Sequence, residues 1–186
     1  MEAVDHQRSD GPLILVSGPS RGGKSRWAES LLKHHPRVTY VATSPSRPDD
    51  SVWQERLSLH RERRPSHWQL LESGSQLSVC LSSIDSRQSV LIDALGGYVA
   101  MHLDLNQSDW TSESEAFVES LRSMPQTRVL VIEETGWGVV PPTRIGGLFR
   151  DRLGALAQSL QNQADQSWLV LQGRAINLGE LGHLVP

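Results

Sequence analysis

Lys24 and Ser25 end the run Gly18-Pro-Ser-Arg-Gly-Gly23-Lys24-Ser25, which meets the pattern G-x-x-x-x-G-K-[ST] at every fixed position. Residues of these types at this spacing suit phosphate binding. Glycines let successive backbone N–H groups close around phosphate oxygens, and a helix starting at the loop's end adds partial positive charge. In such a loop Lys24 reaches the β and γ phosphates of a nucleoside triphosphate, and the Ser25 hydroxyl holds Mg2+. Pro19, Ser20, Arg21 and Gly22 complete the cradle. A glycine-rich turn that binds nothing could share the composition, but the flanks favour a binding loop. Leu13-Ile-Leu-Val16 runs apolar without alternation, as in a strand covered on both faces, and Trp27, Ala28, Leu31 and Leu32 follow at helical spacing.

A second cluster surrounds His60. Trp53, Leu57 and His60 fall at i, i+4 and i+7 of a helix expected over about Val52 to Arg63, which Pro65 stops. Four arginines within nine residues, Arg56, Arg61, Arg63 and Arg64, crowd the same segment. Guanidinium groups bind phosphate oxygens bidentately, so a triphosphate is one reason for them and a solvated helix face is another. Spacing alone leaves His60 open between a functional residue and a histidine hydrogen-bonded at the core edge.

Acidic residues complete the set. Ser89-Val-Leu-Ile-Asp93 reads as a buried strand ending in a carboxylate, the place where open α/β sheets bind ligands. Asp93 is therefore a candidate for water-mediated Mg2+ binding, with a helix N-cap as its alternative. Glu133-Glu134, followed by two glycines and two prolines through Pro142, describes either a shaped active-site loop or an acidic turn.

These side chains need a frame. Strands are expected at Leu13–Val16, Val38–Ala42, Ser89–Asp93, Arg128–Ile132 and Ser167–Leu171, with a shorter one over Trp68–Glu72. Helices are expected after the phosphate loop, over Ser75–Ser83, Ser112–Met124 and Ile145–Gln163, whereas Gly96-Gly97 weakens the segment through Leu103. The alternation predicts an α/β fold: one domain over residues 12–186, a mostly parallel sheet with helices on both faces. Met1–Gly11 reads as a flexible polar lead-in, and Gly173–Pro186 as a tail with apolar anchors and no catalytic signal.

Composition narrows the classes further. With 186 residues, 38% hydrophobic and 21% charged, the chain suits one folded domain. With a net charge of −3, nothing argues for a nucleic-acid surface, and no nucleic-acid partner is expected. Cys80 stands alone, so no internal disulfide is possible, and no Cys/His metal spacing occurs. The lead-in has no apolar signal core, and no apolar run approaches the ~20 residues of a membrane span. A cytoplasmic location is the expectation.

Taken together, the motifs resemble the bifunctional adenosylcobinamide kinase and adenosylcobinamide-phosphate guanylyltransferase family of cobalamin biosynthesis. The resemblance runs from Leu13 to about Leu171. It is carried by Gly18–Ser25 with Arg26, by Tyr40-Val-Ala-Thr-Ser44, and by Arg56-Leu-x-x-His60-Arg-x-Arg-Arg64-Pro65 with Trp68. Gly136-Trp-Gly-Val-Val-Pro141 and Phe149-Arg-Asp151 extend it. The phosphate loop is shared by many enzymes; the His60 segment and the Gly-Trp-Gly loop are far more specific.

The resemblance implies a P-loop NTPase fold and two reactions. A nucleoside triphosphate, ATP or GTP, phosphorylates the aminopropanol hydroxyl of adenosylcobinamide. GTP then guanylylates a histidine, matched by His60, and GMP passes to adenosylcobinamide phosphate. Thr43, Ser44, Arg63, Arg64, Pro65, Glu72 and Asp93 are implied around the nucleotide, and a homotrimer with sites between subunits is implied for the assembly. A single-activity kinase or guanylyltransferase, or a non-catalytic nucleotide-binding regulator, would share the phosphate loop.

Departures from the family pattern cluster in three places. Family Cys, Thr, Trp and Asn positions after Asp93 hold Ala94, Gly96, Tyr98 and Met101; an Asn-Glu pair is Glu133-Glu134; an Arg and an Asn of the long helix are Ala155 and Ala157. The Asn-Lys-x-Asp guanine motif is absent, since Asn162-Gln-Ala-Asp165 lacks the lysine.

Overall fold

The apolar runs form a single seven-stranded sheet in a computed structural model that describes residues 11–44 and 48–185. Nearly all of the polar lead-in lies outside the described residues. So do the side chains of Val52, Trp53 and Arg56, and with them the Trp53 end of the His60 stripe.

The strands are β1 (Leu13–Gly18), β2 (Val38–Ala42), β3 (Gln69–Glu72), β4 (Ser89–Asp93), β5 (Arg128–Glu133), β6 (Gln166–Leu171) and β7 (Arg174–Asn177). Their order is β3-β2-β4-β5-β1-β6-β7. Every pairing is parallel except β6 with β7. The helices are α1 (Lys24–Leu31), α2 (Ser51–Arg63), α3 (Leu77–Ser82), α4 (Leu95–Ala100), α5 (Gln107–Arg122), α6 (Arg144–Gln161) and α7 (Leu178–Leu181).

Two apolar layers explain why the central strands read without alternation. Leu13 and Leu15 of β1 join Leu95, Phe117, Leu130 and Leu153 on one face. Ile14 and Val16 join Ala28, Leu32, Leu91 and Val131 on the other. A strand covered twice must be apolar at every position. Burying each such side chain contributes about 1.5–3 kcal/mol before conformational entropy is subtracted.

Local differences from expectation have physical causes. Helix α5 starts at Gln107 rather than Ser112, because the Asn106 side chain caps the Asp109 N–H at 3.0 Å and Trp110 is buried. Helix α4 forms despite Gly96-Gly97, since Leu95, Tyr98 and Val99 are wholly buried. Tertiary packing outweighs the glycine cost there. Gly11, placed in the loose lead-in, is tied down: its N–H donates to Pro125 O and its carbonyl accepts from Arg128, both at 2.6 Å. The tail expectation is corrected most, because residues 174–177 extend the sheet and residues 178–181 form a short helix.

Candidate active site

The carboxyl ends of β2, β4, β5 and β1 lie side by side. Asp93 pairs in register with Ala42 on one side and Val131 on the other, and Glu133 stands opposite Gly18. Because β5 runs between β1 and β4, the phosphate loop and Asp93 are two strands apart, about 10 Å.

The loop is held by its backbone. Gly18 has φ of 148°, and a Cβ there would meet Val170 O at 2.2 Å; at Gly22 the same oxygen would be 2.8 Å away. Glycine is required because the loop lies directly on the β6 main chain. Pro19 O accepts from the Gly22 N–H at 3.2 Å and from Lys24 Nζ at 2.7 Å. Lys24 is 8% exposed. Gly173 N–H donates to Gly22 O at 3.1 Å, so the turn between β6 and β7 fastens the loop from outside. The tail thus supports the loop, which its sequence did not disclose. Arg21 (φ 58°) and Ser20 are exposed at the tip, Gly23 (φ 107°) occupies the N-cap of α1, and Ser25 sits in its first turn.

His60 approaches from α2. Its Nδ1 lies 3.8 Å from Asp93 Oδ2, with side-chain exposures of 19% and 8%. The same oxygen accepts a hydrogen bond from the Tyr40 hydroxyl at 2.9 Å. Burial, reinforced by Asp93, holds the Tyr40 phenol protonated well above the usual tyrosine range. Arg64 lies over the Tyr40 ring at 4.3 Å, and its Nε donates to His60 O at 3.3 Å. Asp93 does not cap a helix: the N-cap of α4 is Ala94.

The arginines divide their work. Arg63 pairs in a fork with Glu29 of α1, both bonds at 3.2 Å. Burial raises the Glu29 pKa, against the lowering effect of Arg63. Arg61 is exposed and Arg56 lies outside the described side chains. Pro65 follows α2, its carbonyl accepting the Trp68 N–H at 3.0 Å.

Thr43 is buried and its hydroxyl donates to Ala94 O, while a Cβ on Gly97 would meet Thr43 Oγ1 at 2.6 Å and Ser44 N at 2.9 Å. Thr43 and Ser44 therefore line the start of α4 beside Asp93. Glu72 stands apart, exposed at the end of the edge strand β3 and across β2 from Asp93.

The sequence leaves Glu133 in a shaped loop or an acidic turn, yet it lies between the Gly18 loop and Asp93. Its Oε2 accepts the Gly96 N–H at 2.8 Å, and a Cβ on Gly96 would come within 2.7 Å of that carboxylate. The glycine departure at 96 and the glutamate departure at 133 thus fit each other. Burial raises the Glu133 pKa, the Gly96 hydrogen bond opposes the rise, and Asp93 and Lys24 also act on it. Glu134 closes a turn, its N–H on Gly18 O at 2.8 Å and its Oε1 accepting from Gly136 N at 2.9 Å. On the α6 face a cavity of about 170 Å3 is lined by Ser17, Glu133, Glu134, Arg150, Ala157 and Gln161, among others.

A phosphate loop beside a carboxylate-paired histidine narrows the choice of relatives. The family described as cobinamide kinase / cobinamide phosphate guanyltransferase matches residues 14–178. The chain belongs to this family. Among its relatives is the bifunctional adenosylcobalamin biosynthesis protein CobU of Salmonella typhimurium, 32% identical, with 89% of this chain and 99% of the relative covered. CobU of Escherichia coli is 31% identical over 89% and 99% of the two chains. The protein CobP of Pseudomonas aeruginosa is 33% identical over 86% and 92%.

Solved structures show the fold at lower identity. The RadB recombinase aligns with a TM-score of 0.50 and 16% identity over 86% of this chain and 74% of its own. An ATPase from a bacterial type III secretion system aligns at 0.55 and 12%, over 94% and 59%. These likenesses show the fold alone, a mostly parallel α/β sheet flanked by helices.

Sequence reasoning missed Glu29 and the central place of Glu133, and it used Tyr40 only as part of a family motif. Tyr40 carried a signal, being the one aromatic in the run Val38–Ala42, and a buried tyrosine hydroxyl seeks a partner. Glu29 carried none.

Proposed function

We propose that this chain phosphorylates the aminopropanol hydroxyl of adenosylcobinamide with ATP or GTP, then transfers GMP from GTP to the phosphate so formed. His60 carries the GMP between the two substrates. The carrying observation is the His60–Asp93 pair at 3.8 Å, set on the same sheet edge as the Lys24 loop.

Each residue has a task. Backbone N–H groups between Ser20 and Ser25 cradle the phosphates, and Lys24 offsets the charge that develops on the transferring group. Arg64, anchored on Tyr40, adds positive charge beside His60. The pairing of Arg63 with Glu29 makes Arg63 a strut for α2 that can still lend charge to the nucleotide. Thr43, Ser44 and Pro65 border the nucleotide; Glu72 reaches it only from the edge strand.

Mg2+ fits the residues present, because Ser25 and Asp93 offer the hard oxygen donors it prefers. Among the described residues no group of three His, Cys, Asp or Glu side chains forms a cage. A two-residue hold, with nucleotide phosphates as further ligands, is what this donor set supports. When bound, the ion would neutralise charge on the β and γ phosphates.

Homo-oligomerisation, as a trimer, belongs to the same reading. Trp137, Val139 and Val140 are 60%, 96% and 69% exposed on the Gly-Trp-Gly loop, beside an exposed Ile145. An apolar loop next to an active site suits contact with another subunit. Among the described residues no helix is long and apolar enough to cross a membrane, and a cytoplasmic site of action accompanies the proposal.

The test is intact mass after GTP and Mg2+, read under alkaline conditions because phosphoramidates hydrolyse in acid. One GMP on the parent, none on His60→Ala or His60→Asn, and retained phosphorylation of adenosylcobinamide are expected. An adduct that survives in His60→Ala would overturn the reading.

A further inference from the structure

The contact between His60 and Asp93 is on a particular ring nitrogen. Asp93 Oδ2 lies 3.8 Å from Nδ1, and Tyr40 fixes that oxygen with a hydrogen bond of 2.9 Å. Arg64 binds both ends of the arrangement, resting on the Tyr40 ring and donating to His60 O. Tyr40, Asp93 and His60 come from β2, β4 and α2, Arg64 directly follows α2, and the sheet register fixes the first two relative to each other.

We infer that Asp93 is the positioning residue for His60: it holds the proton on Nδ1, directs Nε2 to the α-phosphorus, and offsets the charge of the guanylyl-imidazolium. The inference rests on the proposed role of His60 and adds the nitrogen, the tautomer and the residues that set them.

The step balances. The Nε2 lone pair of the neutral imidazole forms a bond to the α-phosphorus of GTP. The bond from that phosphorus to the bridging oxygen breaks, and pyrophosphate leaves with the electron pair. The ring now bears a positive charge with its proton still on Nδ1, facing the Asp93 carboxylate. In the second half, an oxygen of the acceptor phosphate attacks the same phosphorus, the P–Nε2 bond breaks, and neutral imidazole returns. No proton need leave Nδ1 in either half. A carboxylate on the far nitrogen is how a histidine is kept in one tautomer and its cationic form stabilised. Contacts of this kind are often long without substrate and tighten in the reacting complex. Tyr40 stays a donor at working pH, so it holds Asp93 Oδ2 in place throughout.

The inference also separates two roles of one carboxylate. As a partner for Mg2+, Asp93 would serve both reactions; as a positioner of His60, it serves guanylylation alone. Tyr40→Phe discriminates, because it removes the bond that aims Asp93 and leaves the carboxylate itself in place.

The experiment uses full-length enzyme labelled with 15N-histidine. Nitrogen spectra of the nucleotide-free parent are expected to show His60 as the Nδ1–H tautomer. After GTP and Mg2+, coupling to phosphorus is expected at Nε2. Asp93→Asn offers an amide donor to Nδ1 and should reverse the tautomer, slowing adduct formation about 100-fold or more. Tyr40→Phe should slow adduct formation roughly five- to tenfold through kcat, a clearly larger loss than in the kinase rate. Phosphorus on Nδ1, or an Nε2–H tautomer in the parent, would overturn the inference while His60 remained the carrier. Equal losses of both activities in Tyr40→Phe would also overturn it. Absence of any adduct on the parent would instead refute the His60 reading on which the inference stands.

Discussion

Replacing Lys24 by methionine removes one charge and leaves most of the stem that packs beside the loop. Lys24 is 8% exposed, and its ammonium donates to Pro19 O at 2.7 Å. A unit charge about 3 Å from a phosphate oxygen interacts by about 5 kcal/mol at an effective dielectric of about 20. The part realised only in the transition state is smaller, about 2.7–4 kcal/mol for one such donor, or 100- to 1,000-fold in rate. Stability moves far less. The fold loses the charge-assisted hydrogen bond to Pro19 O, worth about 1.5–3 kcal/mol, and is relieved of a buried charge at comparable cost. The remainder of about 1 kcal/mol shifts Tm by about 2–4 °C in a chain of this size. The assay follows γ-labelled phosphate into adenosylcobinamide and α-labelled GMP onto protein, with thermal unfolding alongside. Both rates should fall at least 100-fold. Retention of either within about threefold would refute a single loop serving both reactions. A fall in Tm beyond about 10 °C would refute the claim that the loss is chemical rather than structural.

Further expectations rest on other contacts. Gly96→Ala places a Cβ within 2.7 Å of the half-buried Glu133 carboxylate, and should cost about 1–3 kcal/mol in denaturant titration. Pairing it with Glu133→Ala should recover part of the loss, and strict additivity would count against the fit between the two residues. Glu133→Gln tests the raised pKa. A carboxyl whose folded pKa lies above its unfolded value binds more protons in the native state. Its ionisation therefore costs stability above the folded pKa, and the cost disappears as pH falls towards the unfolded pKa. The variant should unfold at higher denaturant than the parent near pH 7.5, with the gap closing towards pH 4.5; a gap that widens on acidification contradicts the assignment. Val140→Asp places a charge on a side chain 69% exposed, and light scattering should show a smaller assembly if that loop joins subunits.

Much of this arrangement was legible because its signals are local. The loop of Gly18–Ser25, the apolar runs of the central strands and the terminal Asp93 need only neighbours in sequence to be read. Helix α4 was not legible, since Leu95, Tyr98 and Val99 are held by partners such as Phe117 and Trp110, which are distant in sequence. The clamp of Gly173 on Gly22 and the fork of Arg63 on Glu29 span 151 and 34 residues and leave no periodic trace. Strand order was equally hidden, and it matters most for Glu133. Only with β5 between β1 and β4 does a glutamate of the acidic loop fall between the phosphate loop and Asp93.

The same topology bears on how two reactions could share one triphosphate. Phosphorylation needs attack at the γ-phosphorus, guanylylation at the α-phosphorus, so the loop must hold one chain of phosphates while different nucleophiles approach its two ends. The loop and Lys24 belong to β1 and α1, which are bound into the sheet by apolar packing of Val16, Ala28 and Leu32. His60 belongs to α2, and polar contacts tie this segment to the rest of the fold: Arg63 on Glu29, His60 near Asp93 and, just past the helix, Arg64 on Tyr40. Leu59 on the same helix is 52% exposed, so its apolar surface does not anchor it there. Polar contacts of this kind depend on geometry and charge, and they can be remade when phosphates arrive. On the proposed roles, the phosphate site is therefore set by the core, and the His60 nucleophile by polar contacts that a triphosphate itself can complete.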